Sequence, residues 1–518
     1  MTSITERAIP VTDASVAVDR SSVVAPVNPR LFGSFVEHLG RCVYDGIYEP
    51  GHPTANEDGF RLDVVELVKE LGSTAIRYPG GNFVSGYRWE DGIGPRSERP
   101  KRRDLAWHSL ETNEVGIDEF ARWAKLTGSE IMYAVNLGTR GVLEALDVLE
   151  YANGAAGTAL ADQRIANGGV EPYGIRMWCL GNEMDGPWQV GHMNAEDYGK
   201  LASRTAKALK IADPGLELVV CGSSGSSMPT FGEWERVVLE HTYDDVEYVS
   251  CHAYYQEYDK DLGSFLASSL DMEYFIATVV ATADHVKHKL RKKKDIMLSF
   301  DEWNIWYLKE HQEEEGALAA SDTDGTRDWP YAPRLLEDVY TVADAVVLGN
   351  LMITLLKNSD RVTSASLAQL VNVIAPIMTE PGGAAWRQTT FFPFSVTARL
   401  ATGVVLKPRI EVESYDTARH GSAPLVDSVA TFDEAAGTAS VFLVNRSQTE
   451  SLTVSVDVAS LGVTTVVEAV AVHDEDPYAQ NTLAEQNRVG LRPADAGIAD
   501  GTVTVTLPPV SWTALALA

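Results

Sequence analysis

The segment IRMWCLGNEMDGPWQVGHMNAEDYGKLASRTAKALKIADPGLELVVCGSS (residues 175–224) contains the pattern that decides the fold. An apolar run at 175–183 is followed by a helical pattern at 195–213, where apolar residues recur at spacings of three and four. A second apolar run follows at 217–224. A strand, a helix and a strand in this order are typical of a parallel sheet covered by helices.

The same alternation extends in both directions, from about residue 31 to about residue 372. Eight strands, each followed by a helix, close a (β/α)8 TIM barrel, whereas an open doubly wound sheet rarely reaches eight strands in such regular order. We therefore predict a TIM barrel. Its strand candidates are LFGSFVEH (31–38), TAIRYPGG (74–81), EIMYAVNLG (130–138), IRMWCLGNE (175–183), ELVVCGSS (217–224), VEYVSCHAYY (246–255), IMLSFDEWN (296–304) and RVTSASLAQLV (361–371).

The pattern changes after about residue 390, where β-branched residues alternate with polar ones and turn residues separate the short runs. This change predicts a C-terminal antiparallel β-sandwich. The run ASVAVD (14–19) has the same character, and we expect it to pair with the sandwich. The predicted domains are an N-terminal strand at 1–25, the barrel at 26–388 and the sandwich at 389–518.

The composition excludes several classes of function. The chain has 43 Lys and Arg against 73 Asp and Glu, a formal net charge of −30. Nucleic acids and anionic membranes bind clustered positive charge, so neither is an expected partner. Four Cys residues are too few for a disulfide scaffold, and because they form no CxxC pair we expect no zinc site. With no signal-peptide pattern and no long apolar run, we expect a soluble, cytoplasmic protein.

Polar residues follow nearly every predicted strand. In a TIM barrel the active site lies at the C-terminal ends of the strands. These residues therefore predict a polar pocket that suits a hydroxyl-rich ligand. They are Glu37 and His38, Arg77 and Asn82, Asn136, Asn182 and Glu183, His252 and Tyr254, Glu302 and Asn304, and Gln369.

Two carboxylates, Glu183 and Glu302, each end an apolar strand beside tryptophan. Their strands, the fourth and the seventh, face one another across the mouth of an eight-stranded barrel. Glycosidic cleavage requires such a pair, in which one carboxylic acid protonates the leaving oxygen and one carboxylate attacks the sugar or activates water. We expect Trp188, Trp303 and Trp306 to provide apolar faces for sugar stacking and a low-dielectric wall.

Other chemistries are less well supported. The histidines at the strand ends are scattered. His288 lies in a basic run (287–294) that is interpreted as the solvated end of a helix, and His285 lies two residues before this run. SSGSS (223–227) lacks the G-x-S-x-G pattern of a serine nucleophile. Neither it nor YPGGNF (78–83) matches a phosphate-binding or dinucleotide-binding loop. We therefore expect no metal and no cofactor.

Five motifs together resemble the α-L-arabinofuranosidases of glycoside hydrolase family 51. The resemblance implies a barrel joined to a jelly-roll-like sandwich and a retaining mechanism without metal or cofactor. It also implies a homo-oligomer, usually a hexamer, that acts inside the cell on short arabinose-bearing oligosaccharides. The motifs are LFGSFVEHLGRCVYDGIYEP (31–50), IRYPGGNFVSGYRWEDGIGP (76–95), WCLGNEMDGPWQ (178–189), CHAYYQ (251–256) and FDEWNIWY (300–307).

Matched residue by residue, the resemblance implies that Glu183 is the acid/base and Glu302 the nucleophile. Trp107 and Trp306 match aromatic residues near the leaving group and at the rim of the site. The remaining matched positions bind the arabinofuranose or orient the two carboxylates; they are Glu37, Arg77, Asn82, Asn182, His252, Tyr254 and Gln369.

Alternative functions stay open from the sequence. Another barrel glycosidase, such as an endo-β-1,4-glucanase or a β-xylosidase, would use the same paired carboxylates. A β-D-galactofuranosidase acts on a sugar of the same ring size and configuration. A non-catalytic sugar-binding protein is disfavoured because both carboxylates are present. The C-terminal sandwich could also be a carbohydrate-binding module. Aromatic residues are sparse in 390–518, however, so we favour a structural role for this domain. We expect linkage preference to depend on the segments 95–115 and 310–334, the latter a long loop over the barrel.

Overall fold

The computed structural model describes residues 13–313 and 328–518. Residues 1–12 of the predicted N-terminal segment and residues 314–327 of the predicted loop at 310–334 lie outside this part. No helix in the described ranges is long and apolar enough to cross a membrane.

Eight parallel strands close into a barrel, which confirms the predicted TIM barrel. Each strand pairs with the next along the chain, and the eighth pairs with the first. Several strands end earlier than predicted, because the chain leaves the ladder at the barrel mouth. The strands are β1 (Gly33–Phe35), β2 (Ala75–Tyr78), β3 (Glu130–Val135), β4 (Met177–Leu180), β5 (Glu217–Val220), β6 (Tyr248–Tyr255), β7 (Met297–Ile305) and β8 (Val362–Ala368).

Helices follow the strands and bury their apolar faces. The helix at 195–212 begins at Asn194, whose side chain accepts a hydrogen bond from the backbone of Asp197. The helix at 342–357 is apolar on all sides and almost wholly buried, because it packs between the barrel and the sandwich. The helices are α1 (Leu62–Leu71), α2 (Ile117–Thr127), α3 (Val142–Asn153), α4 (Ala159–Ala166), α5 (Ala195–Ala212), α6 (Glu233–Thr242), α7 (Leu262–Leu266), α8 (Ser269–Lys289), α9 (Val342–Lys357) and α10 (Phe391–Leu400).

Two sheets form the sandwich, and residues near the start of the chain contribute a strand to each. Ala14–Ala17 lies between Arg409–Glu411 and Leu452–Asp457. It runs parallel to Leu452–Asp457, although the sandwich was predicted to be antiparallel. A strand from a distant part of the chain is not joined to its neighbour by a hairpin, so its direction is not fixed by one. Val23–Pro26 begins the second sheet, whose remaining strands are Val404–Leu406, Val426–Asp433, Thr438–Asn445, Ser511–Leu517, Val466–Val472 and Arg492–Pro493.

A buried ionic cluster joins the sandwich to the barrel helices. Arg446 of the sandwich is fully buried and donates from Nη2 to Asn350 of α9 at 2.6 Å and to Ser269 of α8 at 2.9 Å. The same nitrogen lies 3.1 Å from a carboxylate oxygen of Asp427, and Lys357 lies 3.0 Å from the other. Burial raises the pKa of Asp427, but the two cations outweigh burial and lower it to about 2.

We expect Arg446→Met to lower the free energy of unfolding by about 3 kcal/mol at neutral pH, because it removes one of the two cations from a buried carboxylate. The folded-state pKa of Asp427 lies below its ordinary value of 3.8, so the ionised carboxylate stabilises the fold above about pH 4. That contribution is lost as the pH falls through about 2. Urea unfolding at several pH values measures both effects.

The matched control is Arg409→Met, since the Arg409 side chain is 79% exposed. This variant should unfold like the wild type. Equal stability of the Arg446 and Arg409 variants would contradict a stabilising role for the cluster.

Candidate active site

The C-terminal ends of the barrel strands surround a cavity of about 540 Å³. Six of the twelve residues predicted from the strand ends line it, together with three of the predicted tryptophans, and three more strand-end residues lie directly behind the lining. The predicted residues in the lining are Glu37, Asn82, Trp107, Glu183, Trp188, Tyr254, Glu302, Trp306 and Gln369. Those behind it are Arg77, Asn182 and His252.

Glu302 lies in β7, and both of its carboxylate oxygens accept hydrogen bonds. Nη1 of Arg77 donates to Oε1 at 2.7 Å, and the hydroxyl of Tyr254 donates to Oε2 at 2.8 Å. Nη2 of Arg77 donates to Oδ1 of Asn182 at 2.7 Å, which fixes the guanidinium plane. Burial raises the pKa of Glu302, while the positive charges of His252 and Arg77 act against this rise. The carboxylate is therefore held in one orientation.

Glu183 follows β4 in a strained turn. Its φ is +44°, in the left-handed region that residues other than glycine seldom adopt. Such strain costs on the order of 1–3 kcal/mol and is concentrated at functional sites. Nε1 of Trp188 donates to Oε2 of Glu183 at 2.7 Å, and Nδ1 of His252 lies 2.9 Å from Oε1. Trp188, expected only as an apolar wall, therefore also orients this carboxyl group.

His252 lies between the two carboxylates. Its Nδ1 is 2.9 Å from Oε1 of Glu183 and 3.5 Å from Oε2 of Glu302. One oxygen of Glu183 and one of Glu302 lie within 4.8 Å of each other. Burial alone would lower the pKa of His252, but Glu302, Asp301 and Glu183 outweigh burial and raise it. The imidazole ring therefore lies within reach of both carboxyl groups and holds them close together.

Asp301 belongs to the same cluster and was not predicted from the sequence. Its Oδ1 lies 3.0 Å from Nε2 of His252, and its Oδ2 lies 3.6 Å from Nε of Arg77. Strand alternation would direct Asp301 and Glu302 to opposite faces. The β7–β8 register shifts between Phe300 and Trp303, an irregularity typical of a bulge, and both acids reach His252. The only feature of the sequence that pointed to Asp301 was its position next to Glu302 in FDEWN. The two-residue period of a strand would have placed these two acids on opposite faces.

Glu37 lines the cavity and is almost fully buried. We call the part of the cavity around Glu37 the deep end. Oε1 of Glu37 accepts hydrogen bonds from the backbone N–H of Phe83 at 2.9 Å and from Nε1 of Trp107 at 2.7 Å. Nε2 of Gln369 donates to Oε2 at 3.0 Å. A Cβ on Gly81, whose φ is +29°, would lie 2.2 Å from this carboxylate, so glycine is required there. Burial raises the pKa of Glu37 to about 8, although the donors from Phe83 and Trp107 act in the opposite direction.

Comparison with known proteins identifies the family. A model of the α-L-arabinofuranosidase 1 domain matches residues 67–262, and one of the α-L-arabinofuranosidase C-terminal domain matches 301–511. The exo-α-(1→6)-L-arabinofuranosidase of Bifidobacterium longum is 60% identical over 513 residues, 97% of each chain. A solved family 51 α-L-arabinofuranosidase from Bifidobacterium longum superimposes with a TM-score of 0.93 at 54% identity, covering 98% of this chain and 100% of that one. The chain belongs to the family 51 α-L-arabinofuranosidases.

A second relative supports the assignment to family 51. The intracellular exo-α-(1→5)-L-arabinofuranosidase of Streptomyces lividans is 57% identical over 505 residues. The alignment covers 97% of this chain and 75% of that protein. The two relatives thus carry names with different linkages.

Some predicted positions lie outside the cavity of this family 51 chain. Trp303 is fully buried in the core beside the barrel, because it follows an inward-facing residue in a strand; its prediction as a sugar-stacking wall was wrong. His38 lies behind the cavity, with Nε2 2.9 Å from the hydroxyl of Tyr78. Asn136 donates to the backbone oxygen of Tyr87 at 2.9 Å and lines a separate, smaller cavity.

Within the described residues, Glu183, His252 and Glu302 form the one group of this family 51 chain that could hold a metal ion. Proton donors already surround these atoms. Arg77 and Tyr254 donate to Glu302, and Trp188 donates to Glu183. A metal cation would have to approach within a few ångströms of the Arg77 guanidinium, which like-charge repulsion disfavours. The donor set therefore suits an ionised carboxylate better than a bound metal.

Proposed function

We propose that the chain is a retaining exo-α-L-arabinofuranosidase that releases terminal, non-reducing α-L-arabinofuranose from arabino- and arabinoxylo-oligosaccharides. The observation that carries the proposal is the short separation of Glu183 and Glu302, with carboxylate oxygens within 4.8 Å. Retaining glycosidases place the two carboxyl groups about 5–5.5 Å apart, whereas inverting enzymes leave about 6.5–9.5 Å for a water. The names of the relatives support the choice of sugar.

In the first step, Glu302 attacks the anomeric carbon and forms a glycosyl-enzyme ester. Arg77 and Tyr254 hold its two oxygens, so the attacking lone pair has a fixed direction. Glu183 gives a proton to the glycosidic oxygen as the bond to the leaving sugar breaks. Nδ1 of His252 lies 2.9 Å from Glu183, within hydrogen-bond reach of this acid.

In the second step, Glu183 acts as a base and takes a proton from the water that attacks the ester. The bond to Glu302 breaks, and arabinose leaves with the configuration of the substrate. The positive charges of Arg77 and His252 stabilise the carboxylate that Glu302 becomes again. No residue outside this cluster is needed for proton transfer.

The sugar is held by the deep end of the cavity. Glu37, Asn82 and Gln369 line that end and present polar atoms to sugar hydroxyls. At neutral pH the raised pKa of Glu37, about 8, leaves its carboxyl group largely protonated, so it can donate as well as accept a hydrogen bond. Trp107 and Trp306 line the same cavity with apolar faces.

We also propose that the enzyme acts inside the cell and forms a homo-oligomer, a hexamer if it follows the family resemblance. The word intracellular in the name of the Streptomyces lividans relative supports the location. Sedimentation equilibrium of the purified protein gives the mass directly, and cell fractionation gives the location. A monomer or a secreted protein would contradict the respective proposal.

The proposed activity is tested by initial rates on an aryl α-L-arabinofuranoside. The β-D-galactofuranoside, β-D-xyloside and β-D-glucoside of the same aryl group serve as comparators. A clear preference for the arabinofuranoside supports the proposal, and preference for a comparator overturns it. Arabinobiosides with 1→5 and 1→6 linkages then compare the linkages in the names of the two relatives.

We expect exhaustive dialysis against a chelator to leave kcat and KM unchanged. The carboxylates have proton donors as partners, and the reaction above moves protons without a Lewis acid. Rates measured before and after dialysis, with metal analysis of both samples, check this. Loss of activity restored by one divalent metal would contradict the proposed mechanism.

A further inference from the structure

A β-hairpin of the sandwich reaches the barrel mouth. Its strands Ser414–Thr417 and Gly421–Pro424 pair antiparallel, and residues 418–420 form its tip. We name this segment, residues 414–424, the mouth hairpin. It contacts residues 256–264, which comprise the connection between β6 and α7 and the first three residues of α7. We call this segment the 256–264 loop; it directly follows the strand that carries His252 and Tyr254. A part of the sandwich therefore lies against a loop of the active site.

The contact between the mouth hairpin and the 256–264 loop is specific. The hydroxyl of Tyr415 donates to the backbone oxygen of Gly263 at 2.8 Å. The backbone N–H of Ala418 donates to Oγ of Ser264, a buried residue, at 3.1 Å. At the tip, the guanidinium carbon of Arg419 lies 4.0 Å from the centroid of the Tyr258 ring, within the range of a cation–π contact.

Tyr258 in turn lines the cavity that contains Glu183 and Glu302. The loop of residues 224–228 lines the same cavity. That loop is bonded to the turn after Glu183, since Asp185 accepts the backbone N–H of Ser224 at 3.0 Å. The leaving sugar departs from the proton donor Glu183, and we infer that it lies on the side of the cavity formed by this loop and Tyr258.

The 256–264 loop needs external support. Asp259 and Lys260 have φ of +56° and +60°, two consecutive non-glycine residues in the left-handed region. Such conformations persist only where surrounding contacts hold them. Both residues are exposed, and the mouth hairpin packs on the loop immediately after them. Arg419 covers one face of the Tyr258 ring, which limits its rotation and leaves the rest of the ring to the cavity.

We propose that Arg419 is a positioning residue that holds Tyr258 as the wall of the subsite for the leaving sugar. This inference rests on the proposed function, because it assigns the second sugar of that substrate. The sandwich thereby takes part in substrate binding, in addition to packing on the barrel. The ligand is an uncharged pyranose or furanose ring, which an aromatic face binds through its C–H surface.

The test compares ligands that fill one end of the cavity or both. We expect Arg419→Ala to raise KM for an arabino-oligosaccharide of two or three residues by about three- to tenfold, the size of a lost cation–π contact. The inhibition constant of free arabinose, which fills only the deep end, should change by less than about twofold. Arg409→Ala, an exposed arginine of the same domain, is the matched control and should behave like the wild type.

A double-mutant cycle separates positioning from direct sugar binding. If Arg419 acts through Tyr258, adding Arg419→Ala to Tyr258→Ala should raise KM no further. Additive effects would overturn the positioning role, as would an unchanged oligosaccharide KM in Arg419→Ala or an equal rise in the inhibition constant of arabinose.

A second readout does not depend on catalysis. Amide hydrogen exchange of residues 256–264 should be faster in Arg419→Ala than in the Arg409→Ala control, and equal exchange would overturn the inference. A wild-type protein that cleaves none of the arabinosides would overturn the proposed function instead, and hydrogen exchange would still test whether Arg419 holds the loop.

Discussion

Replacing Glu302 with alanine should reduce kcat on an aryl α-L-arabinofuranoside by on the order of 10⁵-fold, because no ester intermediate can form. Added azide should restore part of the rate. Azide fits the space of the missing carboxylate and attacks the anomeric carbon from the same side, so the glycosyl azide should have inverted configuration. NMR of the product and the rate at increasing azide concentration measure both results.

The control for this experiment is Glu411→Ala, an exposed glutamate whose side chain is 72% accessible in the sandwich. It should retain the wild-type rate with no response to azide. Near-wild-type hydrolysis by the Glu302 variant would exclude this residue as the nucleophile. Restoration of the rate with retained configuration would also contradict the mechanism, because azide would then have replaced the second step.

The Glu183→Ala variant should show an effect that depends on the leaving group. For an unactivated oligosaccharide, which needs protonation of the departing oxygen, we expect a loss of about 10²–10⁴-fold. For a dinitrophenyl arabinofuranoside, which departs without a proton, the first step should remain fast and the glycosyl-enzyme should accumulate. A burst of phenolate followed by a slow steady state is the expected signal, and azide should accelerate the slow phase.

A series of aryl arabinofuranosides gives the decisive comparison. In the Glu183 variant the logarithm of the rate of the first step should fall steeply with the pKa of the leaving phenol, and in the wild type it should fall only slightly. Equal losses on good and poor leaving groups would contradict the acid/base assignment and favour a purely structural role for Glu183.

The barrel could be predicted from the sequence because its signals are local. Each strand is a short apolar run, each helix has the 3.6-residue period, and the number of units determines closure. The predicted positions of the strand ends were less accurate. The fourth run was predicted as 175–183, but β4 ends at Leu180, since the last residues turn away from the ladder to place Glu183 at the mouth. Composition cannot distinguish a strand end from a turn that presents a functional side chain.

The residues and contacts that sequence analysis missed depend on strand register and on domain packing, which are not local in the sequence. Asp301 was missed because strand alternation directs it away from the side of Glu302, whereas an irregularity in the β7–β8 register, which no local pattern reveals, lets both acids reach His252. Arg446 binds Asn350, which lies 96 residues away along the chain, and Arg419 stacks on Tyr258 from another domain. These contacts depend on how the two domains pack, and single-sequence periodicity contains no information about that packing.

The strands at Ala14–Ala17 and Val23–Pro26 have a consequence for synthesis on the ribosome. They are made before the barrel, yet their partners include Leu452–Asp457 and Val404–Leu406, which emerge only after the whole barrel. The barrel can therefore assemble while these early strands still lack neighbours. Their unpaired edges are open to other chains during that interval. Folding is complete only after the sandwich leaves the ribosome, so a nascent chain stalled before residue 400 should aggregate more readily than the finished protein.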